Sequence, residues 1–296
     1  MARNVENKSP VVTVEKRKSQ LRQVAERLLD NKGAVIGLIL LLIILLVCLI
    51  GPYFSPYEYT EMILTEKFMA PCAKHPLGTD GYGRDILVRL MYGGRYSLLL
   101  GFSGAISGMI VGIILGLING YIGGTFDTVF MRFLDIWAAI PGQLLSIIIS
   151  SALGPGFVNT VIALSIGEVP LVIRLMRAQI LRVRKEEYLE AAHSINASPL
   201  RIMFKHILPN VISPVIVNTT MNIGAVITSA AALSYLGLGI KPPNPEWGAM
   251  LSAGKNYIGV YNWLVLYPGL CIALVVLCVN LFGDGLRDAI DPKMKK

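Results

Sequence analysis

Residues 187–199 read Glu187-Tyr188-Leu189-Glu190-Ala191-Ala192-His193-Ser194-Ile195-Asn196-Ala197-Ser198-Pro199. Tyr188, Ala191, Ala192 and Ile195 recur at i, i+3, i+4 and i+7, which predicts one shared helical face. Two alanines keep that face shallow enough for another backbone to approach. Glu186, Glu187 and Glu190 fall mainly outside it. Asn196 stands where the helix should stop, because Asn, after Gly, best tolerates the left-handed conformation of a C-terminal cap. Ser198-Pro199 reads as an N-cap followed by Pro at the first helical position, so a second helix starts at once. The stretch is a short charged helix–turn–helix knob between two long apolar runs, and those runs decide the fold.

The chain has 296 residues, 54 % hydrophobic and 16 % charged, with a mean hydropathy of +0.60. A soluble domain carries about a quarter charged residues. Cys48, Cys72, Cys271 and Cys278 form no C-x-x-C pair, and three of them sit in apolar runs, where they read as small hydrophobes. Three histidines without H-E-x-x-H leave a metal-hydrolase reading unsupported. The net charge of +8 lies beside apolar spans, which argues for membrane topology and against nucleic acid as a partner. No cofactor motif is present.

Residues 1–32 are polar and basic and read as a tail. Residues 33–53 form a first span, since about 20 apolar residues cross a bilayer. Residues 54–94 are a loop rich in Pro, Gly and Tyr, in which Asp80 and Asp85 match no EF-hand spacing and the glycines read as turns. Residues 95–285 hold five more spans. The second, Ser97–Ile118, carries Gly104, Gly108, Gly112, Gly116 and then Gly120 on one face, the mark of a helix–helix contact within the subunit or with a partner. The third, Met131–Leu153, is broken by Pro141-Gly142, and Arg132 pairs with Asp135 at its start. The fourth, Phe157–Leu175, holds Glu168, a carboxylate too costly to expose to lipid. It either pairs with Arg174 or a partner or faces a cavity, or else it lines a path and meets a cationic group of the substrate. The fifth, Ile212–Leu238, carries Asn218, Thr219 and Asn222, which point to a pore-side helix. The sixth is Trp263–Gly283, and Trp247, Tyr257, Tyr261, Trp263 and Tyr267 read as an interfacial aromatic belt. Residues 286–296 form a second tail. With six spans, twenty Lys and Arg fall on the side of the termini and the knob and seven on the other, which makes the first side cytoplasmic.

Glu190-Ala191-Ala192, then Asn196, then Ile207-Leu208-Pro209 resembles the EAA signature of permease subunits of ATP-binding-cassette importers. That family has Gly where this chain has Asn196. His75–Asp85 continuing to Leu98, then Ser234–Gly239, Pro242–Gly248 and Gly283–Pro292, resemble the C-type permeases of the dipeptide, oligopeptide and nickel branch. The resemblance implies an all-α polytopic fold of the type I importer kind, with both termini cytoplasmic and a coupling segment over 182–210. It further implies that Glu187, Tyr188, Glu190, Ala191, Ala192, Ile195, Asn196, Ala197, Pro199, Ile207, Leu208 and Pro209 engage an ATPase. The partners implied are a second homologous permease, two cytoplasmic ATPases, an extracytoplasmic substrate-binding protein and the lipid bilayer, with peptides as the leading substrate and nickel chelates, glutathione and other small solutes open.

The residues themselves leave two engines open. The chain has no G-x-x-x-x-G-K-[ST], so it is not its own P-loop ATPase. An ion-coupled carrier or channel would work through Glu168, the one deep carboxylate. The knob, by contrast, is where a separate hydrolase can push.

Overall fold

Asn31 makes the first corner of the molecule. Its side chain accepts the Ala34 N–H at 3.2 Å, capping one helix and ending the one before. The computed structural model describes residues 20–290, beginning with α1 (Gln20–Asp30) and α2 (Lys32–Ile50) on either side of Asn31. The end of the polar segment is thus helical, and Arg27 ties it to the far end of the chain by donating to the Ala289 carbonyl at 3.4 Å. With a 3-10 turn, α2 makes a 23-residue apolar span, Lys32–Phe54.

The next segment is organised by buried polar groups. His75 has no exposed surface; its ring nitrogens lie 2.9 Å from Glu66 Oε2 and 2.9 Å from Asp85 Oδ2. Lys74 also bonds Glu66. Hydrogen bonds from Lys74 and then His75 hold the Glu66 carboxyl below its usual range. Asp80 accepts from the Arg84 side chain at 2.7 Å. Asp85 caps α3 (Ile86–Ile122), accepting the Val88 N–H at 2.9 Å. Both carboxylates therefore serve turn and cap. The helix of the second span begins already at Ile86, inside the stretch that reads as loop.

The glycine stripe of α3 meets α6 (Phe157–Val183) of the same chain, and this is the most extensive helix contact in the molecule. Gly104, Gly108, Gly112, Gly116 and Gly120 face Leu164, Glu168, Val172, Met176 and Ile180 in register. A Cβ at Gly112 would stand 2.5 Å from Val172 Cβ, so any side chain there would force the helices apart.

Between α3 and α6 the third span is not one helix. α4 (Gly124–Ala138) and α5 (Gly142–Leu153) meet at 81°. Pro141 has no N–H to donate and drives its neighbour out of the helical region, so the chain turns a corner. Asp135 lies 3.9 Å from Arg132, as the i,i+3 spacing suggests, but its closer partner is Arg174 on α6, at 3.0 Å. Arg174 is therefore engaged by Asp135.

After α6 come α7 (Glu187–Ser194), α8 (Pro199–Arg201), a π-helical turn Ile202–Ile207, and α9 (Leu208–Tyr235). The wide turn precedes Pro209, which cannot supply the next helical N–H, and Leu208 instead bonds back to the Met203 carbonyl. α10 (Trp247–Gly254) and α11 (Trp263–Ile290) complete the described residues. Among the described residues five helices are long and apolar enough to cross a membrane, and a sixth span results if the bent α4–α5 pair counts as one.

Packing removes Trp247 from the aromatic belt. Trp247 is 1 % exposed, donates from Nε1 to the Leu90 carbonyl at 2.9 Å and bonds Ser97 Oγ from its backbone N–H at 3.1 Å. Glu246 caps α10 from a fully buried position, accepting from Ala249 N at 2.9 Å and Ser97 Oγ at 2.8 Å; burial pushes its carboxyl above the usual range. Tyr261 stacks on Phe68 at 4.3 Å between ring centroids, and Trp263 and Tyr267 pack against the main core. These rings knit loop to bundle, and Trp247 is a core residue.

Candidate coupling surface and transmembrane path

The knob folds through its own turn chemistry. Glu187 and Glu190 sit in the first turn of α7, where carboxylates favour the helix dipole. At the other end Asn196 has φ +50°. Its N–H bonds the His193 carbonyl at 2.9 Å and the Ala197 N–H bonds the Ala192 carbonyl at 3.2 Å, the paired bonds of a Schellman stop. Ser198 then caps α8, accepting from the Arg201 N–H at 3.4 Å, with Pro199 at the first position.

Packing divides the face that the spacing groups together. Leu189 and Ala192 are buried, on a core of Met176, Ile180, Ile202, Met203 and Ile207. Tyr188 is 38 % exposed and Ile195 76 %, and Ala191 and Glu190 are also exposed. Burial raises the Tyr188 hydroxyl above its usual range, the Glu186 carboxylate adds to this, and a hydrogen bond from Asn210 opposes it. Among the remaining sequence-derived positions, Glu187, Asn196, Pro199 and Pro209 are exposed, Ala197 and Leu208 half-buried, and Ile207 buried. Leu200 and Phe204, which the motif does not contain, are exposed beside them; their signal was an apolar i, i+4 pair directly after the Pro199 helix start. The result is a knob pinned from beneath by Leu189 and Ala192, with Tyr188, Ala191, Ile195, Leu200 and Phe204 exposed among charged and polar neighbours.

In the transmembrane region α6 and α9, the helices entering and leaving the knob, are joined by one polar contact: the Asn222 side-chain amide donates to Glu168. Of the four path positions, the structure therefore brings Glu168 and Asn222 together. Thr219 is buried and its hydroxyl has no hydrogen-bond partner, and Asn218 is half-buried one turn below Asn222. Other hydroxyls of α9 bond their own helix, Thr220 to the Ile216 carbonyl and Thr228 to that of Gly224, each at 2.9 Å. Of the three path positions on α9, Asn222 is the one whose side chain bonds another helix among the described residues.

Residues 108–296 match the family described as binding-protein-dependent transport system inner membrane component. Residues 19–71 match the N-terminal transmembrane domain of oligopeptide transport permease C. The chain belongs to the binding-protein-dependent transport permeases. This permease is 44 % identical over 277 residues to the dipeptide transport system permease protein DppC of Alkalihalophilus pseudofirmus, covering 94 % of this chain and 91 % of that one. It is 42 % identical over 283 residues to the di/tripeptide transport system permease protein DppC of Pseudomonas aeruginosa, with 94 % and 93 % covered. Its fold superposes on a chain of the MetNI methionine ABC transporter in an inward-facing conformation with a TM-score of 0.54 and 17 % identity, over 69 % of this chain and 97 % of that one. The permease is thus an inner-membrane transport subunit with the fold of an ABC importer permease.

Proposed function

We propose that this permease forms half of the translocation pathway of an ATP-driven importer of di- or oligopeptides, with both termini and the knob in the cytoplasm. A homologous second permease supplies the other half, two ATPases supply the energy, and an extracytoplasmic binding protein delivers the peptide. Relatives named for dipeptides and di/tripeptides support the substrate, and the distribution of Lys and Arg supports the orientation. ATP hydrolysis belongs to the partner subunits.

One observation carries the coupling reading. Tyr188, Ala191 and Ile195 stand outward on a helix whose other side, Leu189 and Ala192, is locked into the bundle. An apolar surface on such a rigid support transmits force instead of absorbing it. When the ATPases close, the knob moves as a body, and α6 and α9 carry that movement into the bilayer. Glu168, held by Asn222 where those two helices touch, lines the path and meets the cationic end of the peptide.

The test is co-purification together with uptake. The intact permease brings ATPase subunits with it, and Ala191→Asp abolishes both their binding and transport while the spans still insert. Vesicles containing this permease alone that accumulate peptide from a proton or sodium gradient would sink the reading.

A further inference from the structure

We propose that Asp127 is a positioning residue that makes α4 follow the cytoplasmic end of α6, so that displacement of the knob moves the α4–α5 elbow. The proposal rests on the coupling reading of α7. Asp127 binds two other helices at once. It accepts from Arg177 on α6 through Nε at 2.5 Å and Nη2 at 2.6 Å, and from Asn119 at the end of α3 at 2.7 Å. A two-pronged carboxylate–guanidinium contact fixes direction as well as distance. Two turns along α4, Asp135 accepts from Arg174 at 3.0 Å.

The helix so held is weakly packed and bounded by joints. Among the described residues Leu134 is the only buried residue of α4, while Val129 is 64 % and Ile136 72 % exposed. Its near end leaves α3 through Gly123 and Gly124, with φ +67° and +62°. Its far end breaks before Pro141. A cavity of about 170 Å³ inside the elbow, lined by Trp137, Ile140, Leu145, Gly167, Leu171 and Arg174 among others, leaves room for the joint to close. Arg177 stands in the last turns of α6, which runs on into α7. Arg184, just past that end, packs over Gly123, where a Cβ would collide with its guanidinium. The path from knob to elbow therefore passes through two contacts of α6 with α4, the two-pronged Asp127–Arg177 pair and the single bond of Arg174 to Asp135.

The test uses the assembled transporter, with its ATPases, second permease and binding protein, in proteoliposomes. Asp127→Asn lowers peptide moved per ATP hydrolysed by about tenfold, the size of coupling that one contact in such a network carries. ATPase rate and subunit composition stay within about twofold, since the docking knob is untouched. The exchanged pair, Asp127→Arg with Arg177→Asp, recovers much of the loss. Unchanged peptide per ATP, or parallel loss of transport and hydrolysis in a fully assembled complex, would overturn the proposal. If Asp127→Asn fails to assemble, spin labels decide in a background lacking the native cysteines, with Val129→Cys on α4 and Ile148→Cys on α5, one on each side of the elbow. Their separation shifts by a few ångströms (~2–5 Å) on ATP trapping, and a fixed separation refutes the lever. Failure of the coupling reading looks different: Ala191→Asp would then keep both ATPase subunits and transport.

Discussion

Asn222 on α9 donates its side-chain amide to the carboxylate of Glu168 on α6, joining across the bilayer interior the two helices that enter and leave the knob. Glu168 Cβ also lies against Gly108 of α3, so three helices converge on this carboxylate. Replacing it with Gln keeps the shape and the bond to Asn222 but removes the charge. Uptake with the cognate binding protein is expected to fall about tenfold or more, the value of a hydrogen bond to a charged partner, with assembly intact. Unchanged uptake of both neutral and basic peptides by Glu168→Gln would remove Glu168 from the path.

The seam between α3 and α6 predicts a stability effect at Gly112. Val there would meet Val172 at a distance no pair of carbons tolerates. The cost expected is about 1–3 kcal/mol, that of overpacking, read as a lowered melting temperature in detergent. Ala at Gly124, where no atom lies within 4 Å, meets no such contact and is opposed only by the positive φ.

Trp247 separates a buried anchor from an interfacial ring. Trp247→Ala is expected to destabilise by about 3–5 kcal/mol. Trp247→Phe, which keeps most of the ring and loses the bond to Leu90, should cost about 1 kcal/mol. A melting temperature indifferent to Trp247→Ala would place the residue at the lipid interface after all.

Glu66 predicts a pH dependence. Its carboxyl is held below the usual value of 4.5 in the folded protein. The contribution is therefore complete above about pH 4.5 and is lost as pH falls through the lower, folded value. Glu66→Gln should melt at a lower temperature than the wild type at pH 7, with the gap narrowing on acidification below pH 4.5. A gap that stays constant down to pH 3 would show that the charge on Glu66 contributes nothing.

Local chemistry was readable from residues alone wherever a short-range rule acts. Asn196 and Ser198-Pro199 dictated the stop and restart of the knob, because a left-handed cap and an N-capped proline need only their neighbours. The uncharged runs dictated the spans, because a bilayer core excludes charge whatever the fold. The glycine stripe announced a helix contact, and only the tertiary structure named α6 as its partner.

What the sequence left undecided depends on distant residues. Which side of α7 faces inward is set by the core beneath it, so Leu189 and Ala192 went in while Tyr188 and Ile195 stayed out. Trp247 looks interfacial by type, yet Leu90 and Ser97, about 150 positions away in sequence, supply the hydrogen bonds that let it be buried. Arg174 reads as a partner for Glu168 by proximity along one helix, but the 81° turn at Pro141 swings α4 across and gives it Asp135. Periodicity and turn chemistry are properties of a segment, and the sequence alone determined them here. The choice of inward face and of charge partner depends on which segments meet, and the packed bundle decided it.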